Sequence, residues 1–423
     1  MRISFFCTIL LICILFSCGN NKTNIQPTEI QIQPYPHKID LIDGINSPVD
    51  LSLSEIADSI DYILLSTNKD APISWINSVE LTEDDIFIMT HTETSYFFRF
   101  DKKGKFLNSI GKVGRGPGEY LSGSYFFLDP FLKKVYVKQN FIHDYLTFDY
   151  EGHFLGKAPF KKGYFIAGAV VLPNNHLLKI GAYVEKPERF PKDFFLCGLF
   201  DQNDSTLQII KHPITKIPDN LDKPFLTSGF LSARYSFFNG EPIISGLEDT
   251  IYKANSDSIY KAFILLKGDF APTYLQNYTN DAFAGSMNYL KNNGLFFETK
   301  TKAYIQVSLK EKGYIFEYNK LTGKSKSKEF IGSLDHGVYA FDWGFQNDLD
   351  GGIKFFPQFT NREGSIWIMC KDAIDFKKEI EVGNMSNPNS LDPFKKKKLK
   401  VFNENLTSDD NPVLMIVYLK KQI

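Results

Sequence analysis

The sequence has no excess of charge of either sign: 48 lysines and arginines stand against 49 aspartates and glutamates, for a formal net charge of −1. Nucleic-acid-binding domains usually present a basic face, so nucleic acid is not an expected partner. Cysteine is sparse. Cys7, Cys13 and Cys18 fall at the extreme N-terminus, and only Cys197 and Cys370 serve the remaining chain. Both lie in apolar, strand-like runs, so two buried free thiols are expected, although spacing alone does not exclude a bridge. The seven histidines (37, 91, 143, 153, 176, 212 and 336) show no H-x-H, H-E-x-x-H or Cys-His ligand spacing, and neither metal nor cofactor is expected. Asp348-Leu349-Asp350-Gly351-Gly352 has oxygen ligands but lacks the other positions and the terminal Glu of a helix-loop-helix calcium site. Nucleophile elbows of the G-x-S-x-G type and G-K-[ST] phosphate loops are also missing. This leans the reading away from an enzyme, but catalytic groups gathered from distant segments would leave no local motif.

Long apolar runs are likewise missing beyond the N-terminus. The run from Phe5 to Phe16, preceded by Arg2, falls short of the roughly 20 residues of a spanning helix. It reads as the hydrophobic part of a signal peptide over residues 1–17. It ends in Leu15-Phe16-Ser17-Cys18, which resembles the lipobox of bacterial lipoproteins. The resemblance implies that Cys18 is lipid-modified and becomes the first mature residue. Several acyl chains on one cysteine would anchor the protein without a spanning helix, which a single chain would not do. Residue 19 is Gly and not Asp, so the inner-membrane retention signal is absent and the outer membrane is expected. Loss of Arg2 with the signal takes the net charge from −1 to −2. Residues 18–50 are read as the lipidated cysteine and a tether, its first part to Pro36 rich in Asn, Gln, Thr and Pro. Residues 51–423 are read as one domain, since no internal linker rich in Pro, Gly and Ser divides them.

What is present is a recurring hairpin. Tyr96 to Phe100, a turn at Asp101-Lys102-Lys103-Gly104, and Lys105 to Ile110 form the first copy, and Asp149-Tyr150-Glu151-Gly152 turns the second. Gly accepts the positive φ that such turns need. Weaker copies turn at Asp201, Asn255 and Asn319, giving intervals of 48, 52, 54 and 64 residues. A period near 50 built from hairpins is the pattern of β-propeller blades. The long last interval suggests a helical insertion over 280–293. Two strands lack hairpin partners: Ile60 to Leu65, and the terminal run 411–420. Pairing them would close a ring and protect its edges. The expected fold is therefore all-β, a six-bladed propeller closed by its terminal strands, with short helical insertions. Seven blades is the alternative if the region 337–419 hides another.

The segment Gly111-Lys112-Val113-Gly114-Arg115-Gly116-Pro117-Gly118-Glu119-Tyr120 resembles the G-x-x-G-R-G-P-G-E-[YF] signature of the six-bladed β-propeller lipoproteins of Bacteroidetes, and Asp409 to Leu414 resembles their closing strand. The resemblance spans roughly residues 50 to 421 and implies the architecture more than any activity.

Arg115 and Glu119 are candidates for a ligand loop at the channel mouth. The same glycines and Pro117 also suit a structural crossover between blades. Trp75, Trp343 and Trp367 are candidate aromatic contacts. His143-Asp144 and Asp335-His336 are adjacent pairs whose side chains would point to opposite faces of a strand. Lys395–Lys398 after Asp392-Pro393 reads as a short helix with proline in its first turn. The leading functional expectation is an outer-membrane-anchored, non-catalytic binding or interaction module in glycan or nutrient handling, with a glycan, peptide or envelope protein as partner. The rivals are an envelope hydrolase or lyase with residues converging from several blades, and a structural subunit of an envelope complex using an insertion such as 280–293 or 389–405.

Overall fold

A computed structural model describes residues 34–67, 71, 73–91, 95–121, 123–139, 144–158, 166–181, 195–211, 234–246, 248–273, 288–335, 338–340, 342–381 and 392–421. Cys18, residues 1–17 and the tether to 33 lie outside the described residues, as do His143, His212 and His336.

The described chain opens with β1 (His37–Asp40), the short helix α1 (Leu41–Ile45) and β2 (Ala57–Leu64). Blade 1 is β3 (Trp75–Leu81), β4 (Asp85–His91), β5 (Ser95–Asp101) and β6 (Phe106–Ser109). A crossover with the two-residue strands β7 (Lys112–Val113) and β8 (Glu119–Tyr120) leads to blade 2: β9 (Gly123–Asp129), β10 (Lys134–Gln139), β11 (Tyr145–Asp149) and β12 (Phe154–Ala158). Blade 3 comprises β13 (Ile166–Val171), β14 (Leu177–Gly181), β15 (Phe195–Phe200) and β16 (Thr206–Lys211). Blade 4 comprises β17 (Arg234–Phe238), β18 (Glu241–Ser245), β19 (Thr250–Ala254) and β20 (Ile259–Leu266). Blade 5 comprises β21 (Lys291–Glu298), β22 (Lys302–Leu309), β23 (Lys312–Asn319) and β24 (Lys324–Ile331). The hairpin β25 (Ser333–Asp335) and β26 (Val338–Ala340) then leads to blade 6: β27 (Phe359–Thr360), β28 (Ile366–Lys371), the helices α2 (Ala373–Glu381) and α3 (Pro393–Asn405), and β29 (Val413–Leu419).

Each blade is an antiparallel meander, and blade 6 is completed by β2, which pairs with β29 in register Ile60↔Val417, Tyr62↔Met415 and Leu64↔Val413. The ring is thus closed by its terminal strands, as the two unpaired strands in the sequence implied. The region 337–419 supplies three strands of blade 6 and two helices, and the described residues contain no seventh blade.

Among the described residues, six buried apolar clusters hold the ring, one between each neighbouring pair of blades. Phe87 and Phe97 meet Phe126 and Phe148 between blades 1 and 2, and Leu196 and Leu199 meet Phe237 and Ile259 between blades 3 and 4. Val79 and Phe98 meet Ile368 and Leu414 where blade 1 joins blade 6. Most of the aromatic residues are spent here. Blades are two-sided sheets, so alternate residues of a strand face two different neighbours and both faces must be apolar.

The third-to-fourth-strand hairpins repeat one device. The side chain of Asp101 accepts from the backbone N–H of Lys103 and Lys105 (2.8 and 2.9 Å), and Asp201 accepts from Asn203 and Ser205 (2.9 and 2.7 Å). Asn255 and Asn319 do the same two and three residues on. Such turns are nucleated by Asp or Asn because the short side chain mimics a backbone acceptor.

Two expectations need correction. The folded body does not begin near residue 51: β1 pairs in parallel with β20 as a fifth strand of blade 4 (His37↔Phe263), and α1 packs on blade 5, with Gly44 O accepting from Ser327 Oγ. This segment covers a buried ionic cluster in which Glu298 is bound by Lys320 (2.7 Å), Lys253 (3.4 Å) and the Tyr35 hydroxyl (2.5 Å). The helical insertion over 280–293 also fails at its end, because β21 begins at Lys291; residues 280–287 lie outside the described residues. The helix after Asp392 is present, and it runs to Asn405 with Asp392 capping Phe394 N and Lys395 N.

Candidate functional site

The innermost strands β3, β9, β13, β17, β21 and β27 line a central channel. By connectivity, one rim carries the turns within each blade, between first and second and between third and fourth strands. The other carries the inter-blade connections and the second-to-third-strand loops, and this is the mouth.

The first rim is cross-linked by one turn. Asn361-Arg362-Glu363-Gly364 joins β27 to β28, and Arg362 reaches across the channel from it. Its Nη1 donates to Val171 O of blade 3 (2.8 Å) and its Nη2 to Leu128 O of blade 2 (3.0 Å). Its guanidinium lies 5.6 Å from the Phe237 ring centroid of blade 4. The turn's own carbonyls accept from the β17–β18 turn, Gly240 N to Arg362 O (3.1 Å) and Asn239 N to Glu363 O (3.0 Å). Nearby, the Tyr235 hydroxyl of blade 4 donates to Glu80 of blade 1 (3.2 Å), linking opposite blades. Burial pushes the Glu80 carboxyl up, and the Arg362 charge and the Tyr235 hydrogen bond pull it part of the way back. These groups satisfy one another and the free inner-edge carbonyls, which is a structural plug rather than an open reactive cluster.

The mouth is different. Trp75, the first residue of β3, is 65% exposed. Arg234 begins β17 and is exposed, and Lys291 begins β21, where burial pushes its ammonium down to about 8. Each stands at the first position of an innermost strand, so all three share this rim.

The other sequence candidates go elsewhere. Arg115 and Glu119 are in the crossover between blades 1 and 2. The Glu119 carboxylate folds back onto Gly116 N (2.7 Å), and Arg115 is exposed without a partner among the described residues. Gly118 has φ +75° and lies so close to Phe154 that a Cβ would come within 2.6 Å of it, so glycine is required there. The loop flanks a shallow groove of about 430 Å³ lined by Phe106, Asn108, Lys112 and Phe154. That groove lies at the outermost strands, away from the channel. Trp343 is half-buried against Phe330. Trp367 is fully buried among Phe297, Tyr304 and Phe345 and cannot stack on a ligand. It is a core residue because alternation on β28 turns it toward blade 5. Asp348 accepts from Ser54 N (2.9 Å) and Ser54 Oγ (2.5 Å), and Asp350 from Gly352 N (2.9 Å) and the Tyr62 hydroxyl (3.2 Å), so this acidic loop is engaged in folding. Cys197 of blade 3 and Cys370 of blade 6 are both free, and burial pushes both thiols up. Among the described residues no group of three His, Cys, Asp or Glu is placed to hold a metal.

Sequence reasoning missed Arg362, Glu80, Tyr235, Arg234 and Lys291. Only the first had a signal: Asn361 to Gly364 is a further Asn-x-x-Gly turn, whose Asn361 Oδ1 accepts from Ile366 N (2.9 Å).

No curated protein matches this sequence. Among solved structures, a Bacteroides fragilis protein described as exported superposes with a TM-score of 0.62 at 16% identity, covering 91% of this chain and 99% of that one. A member of the DUF4221 family from Bacteroides vulgatus gives 0.47 at 10% identity, over 86% and 97% of the two chains. The first likeness shows a common fold. A family model, described as a domain of unknown function, matches residues 36–418. That match takes in β1 and all but the last residue of the closing strand, and the chain therefore belongs to the DUF4934 family.

Proposed function

We propose that this protein is an exported, lipid-anchored binding module that takes an acidic glycan at the channel mouth. The observation that carries the reading is the exposed Trp75 on the same rim as the cations Arg234 and Lys291. An aromatic face stacks on sugar rings, and two cations favour a carboxylate or sulfate on the ligand. Polar groups at the other end of the channel bind one another instead. Isothermal titration of the purified protein with acidic and neutral oligosaccharides tests this. Saturable binding of acidic members, lost in Trp75→Ala and weakened in Lys291→Gln, is the expected result. Equal binding of neutral members, or no effect of Trp75→Ala, would overturn it.

The anchor is part of the same reading. The apolar run ending at Ser17-Cys18 supports it, and the fold shared with a protein described as exported supports export alone. Mass spectrometry of the mature N-terminus should find an acylated Cys18, and Cys18→Ser should release the protein from the membrane fraction. An unmodified Cys18 would defeat the anchor and leave the mouth untouched.

The rival hydrolase or lyase would draw on Glu80, whose raised carboxyl has the character of a general acid. Its bonds to Tyr235 and its place beside Arg362 argue for a structural role. Turnover of any oligosaccharide that is abolished in Glu80→Gln, with the fold intact, would reverse that judgement.

A further inference from the structure

The helix α3 presents a surface that neither the channel nor the fold explains. Its inner side is fixed. Leu399 and Asn403 are buried, Phe402 packs on Tyr62 and Phe376 (ring centroids 5.8 and 5.9 Å apart), and Lys377 of α2 caps the far end through Leu406 O (2.7 Å). Its outer side carries Phe394, 77% exposed, and Val401, 48% exposed, seven residues apart, with Lys397 and Lys398 between them. Positions i, i+3, i+4 and i+7 share one helix face, so this is a single stripe of aromatic, cationic and aliphatic groups, with exposed Lys400 beside it.

Stability does not account for the lysines. Cations near a helix N-terminus oppose its dipole, and like charges three or four residues apart repel. Lys397, Lys398 and Lys400 have no ion-pair partner among the described residues. The preceding ten residues, 382–391, contain no charged residue to neutralise them. A local cationic patch in a chain of net charge −1 is therefore unspent.

We propose that the outer face of α3 docks on an anionic lipid bilayer. Lysines alone would suit any polyanion. The exposed Phe394 and Val401 on the same face select a membrane, because an interfacial helix buries its apolar residues at the headgroup–acyl boundary while its lysines meet anionic headgroups. A soluble polyanion offers nothing to bury them. By connectivity α3, inserted between β28 and β29, lies on the mouth rim, so docking turns that rim toward the lipid. The inference does not depend on the anchor at Cys18.

The test is vesicle flotation with the chain from residue 19 onward, which holds every element described above and carries no acyl group. Vesicles of phosphatidylglycerol and phosphatidylcholine should bind it, and phosphatidylcholine alone should not. Binding should fall as added salt shortens the screening length. Combined Lys397→Gln, Lys398→Gln and Lys400→Gln should weaken it on the order of 100-fold, at about fivefold per lysine. Phe394→Ala should weaken it about tenfold. All four side chains are exposed, so the melting temperature should not move, and this separates lost docking from lost folding. Absence of vesicle binding, equal binding to neutral vesicles, or indifference to the lysine substitutions would each overturn the proposal. Lysine-dependent binding of heparin without vesicle binding would overturn it in favour of a soluble polyanion.

Discussion

Arg362 joins blade 6 to three others, since its guanidinium reaches Leu128 of blade 2, Val171 of blade 3 and Phe237 of blade 4. Arg362→Ala leaves two strand carbonyls unpaired and removes the charge that pulls the buried Glu80 carboxyl down. A loss of about 3 kcal/mol is expected, given 1–3 kcal/mol for each charged hydrogen bond broken in a buried setting. Urea denaturation measures it. Arg362→Lys should recover little, because a point ammonium cannot fork between two acceptors. Lys291 allows a prediction in pH. Its folded pKa, about 8, lies below the ordinary lysine value. The unfolded chain therefore binds more protons above pH 8, and this residue's contribution to stability rises with pH up to the ordinary value. The charge on the rim moves the other way and is lost above pH 8. Affinity for an acidic ligand should therefore fall through that range, and Lys291→Arg should remove the fall. Titrations at pH 7 and pH 9 on both proteins check it. From the sequence, only the turn that carries Arg362 had a signal, and neither side chain's role did. A lone arginine in a turn and a lysine at a strand start look the same whether they face solvent or a channel.

Among the elements, hairpins were the most legible. Asp101, Asp149, Asp201, Asn255 and Asn319 mark five of them because the Asx side chain and the backbone N–H groups that donate to it lie within four residues of one another. Two glycines in these turns should differ sharply. At Gly104, φ is +82° and a Cβ would lie 2.2 Å from Leu64 O of β2, the strand that pairs with β29 to close the ring. Gly104→Ala should cost about 2 kcal/mol or more, combining the left-handed backbone with a backbone clash. At Gly323, φ is +68° but the nearest atom, the Tyr318 hydroxyl, is 3.9 Å away. Gly323→Ala should cost about 1 kcal/mol, from conformation alone. Thermal melts of the two variants decide whether the first turn is coupled to closure. Strands defined by remote partners were not legible. His37–Asp40 reads as tether because its partners are Phe263–Leu266, and nothing in four residues announces a parallel pairing across more than 200 positions. The first strand of blade 6 escaped for a similar reason: β27 has two residues, too few for an alternation to show.

At the scale of the molecule, closure is the weak point of the propeller, since the four meander strands of every other blade are continuous in the chain. Here the C-terminal strand β29 is not an edge. It lies between β28 and β2 and carries Val413, Leu414, Met415, Ile416 and Val417 into the cores on both sides. Deleting residues 413–423 should therefore remove cooperative unfolding altogether and leave a chain that aggregates, as size-exclusion chromatography and a melting curve would show. A truncation that stays monomeric and melts in one step would contradict closure through this strand.

The sequence by itself determined the blade hairpins, their period near 50 residues, the two strands that close the ring, and the helix after Asp392-Pro393, because each rests on neighbours in the chain or on a hydrophobic alternation that any reader can count. Which side chains meet was decided only by the tertiary structure. Glu80, Tyr235 and Arg362 stand far apart in sequence and come together because a ring turns the innermost strands of all six blades toward one axis. Trp75 is left in solvent and Trp367 is enclosed for the same reason. Burial belongs to the packing of blade on blade, and no property of tryptophan in a strand records which face its neighbour will cover.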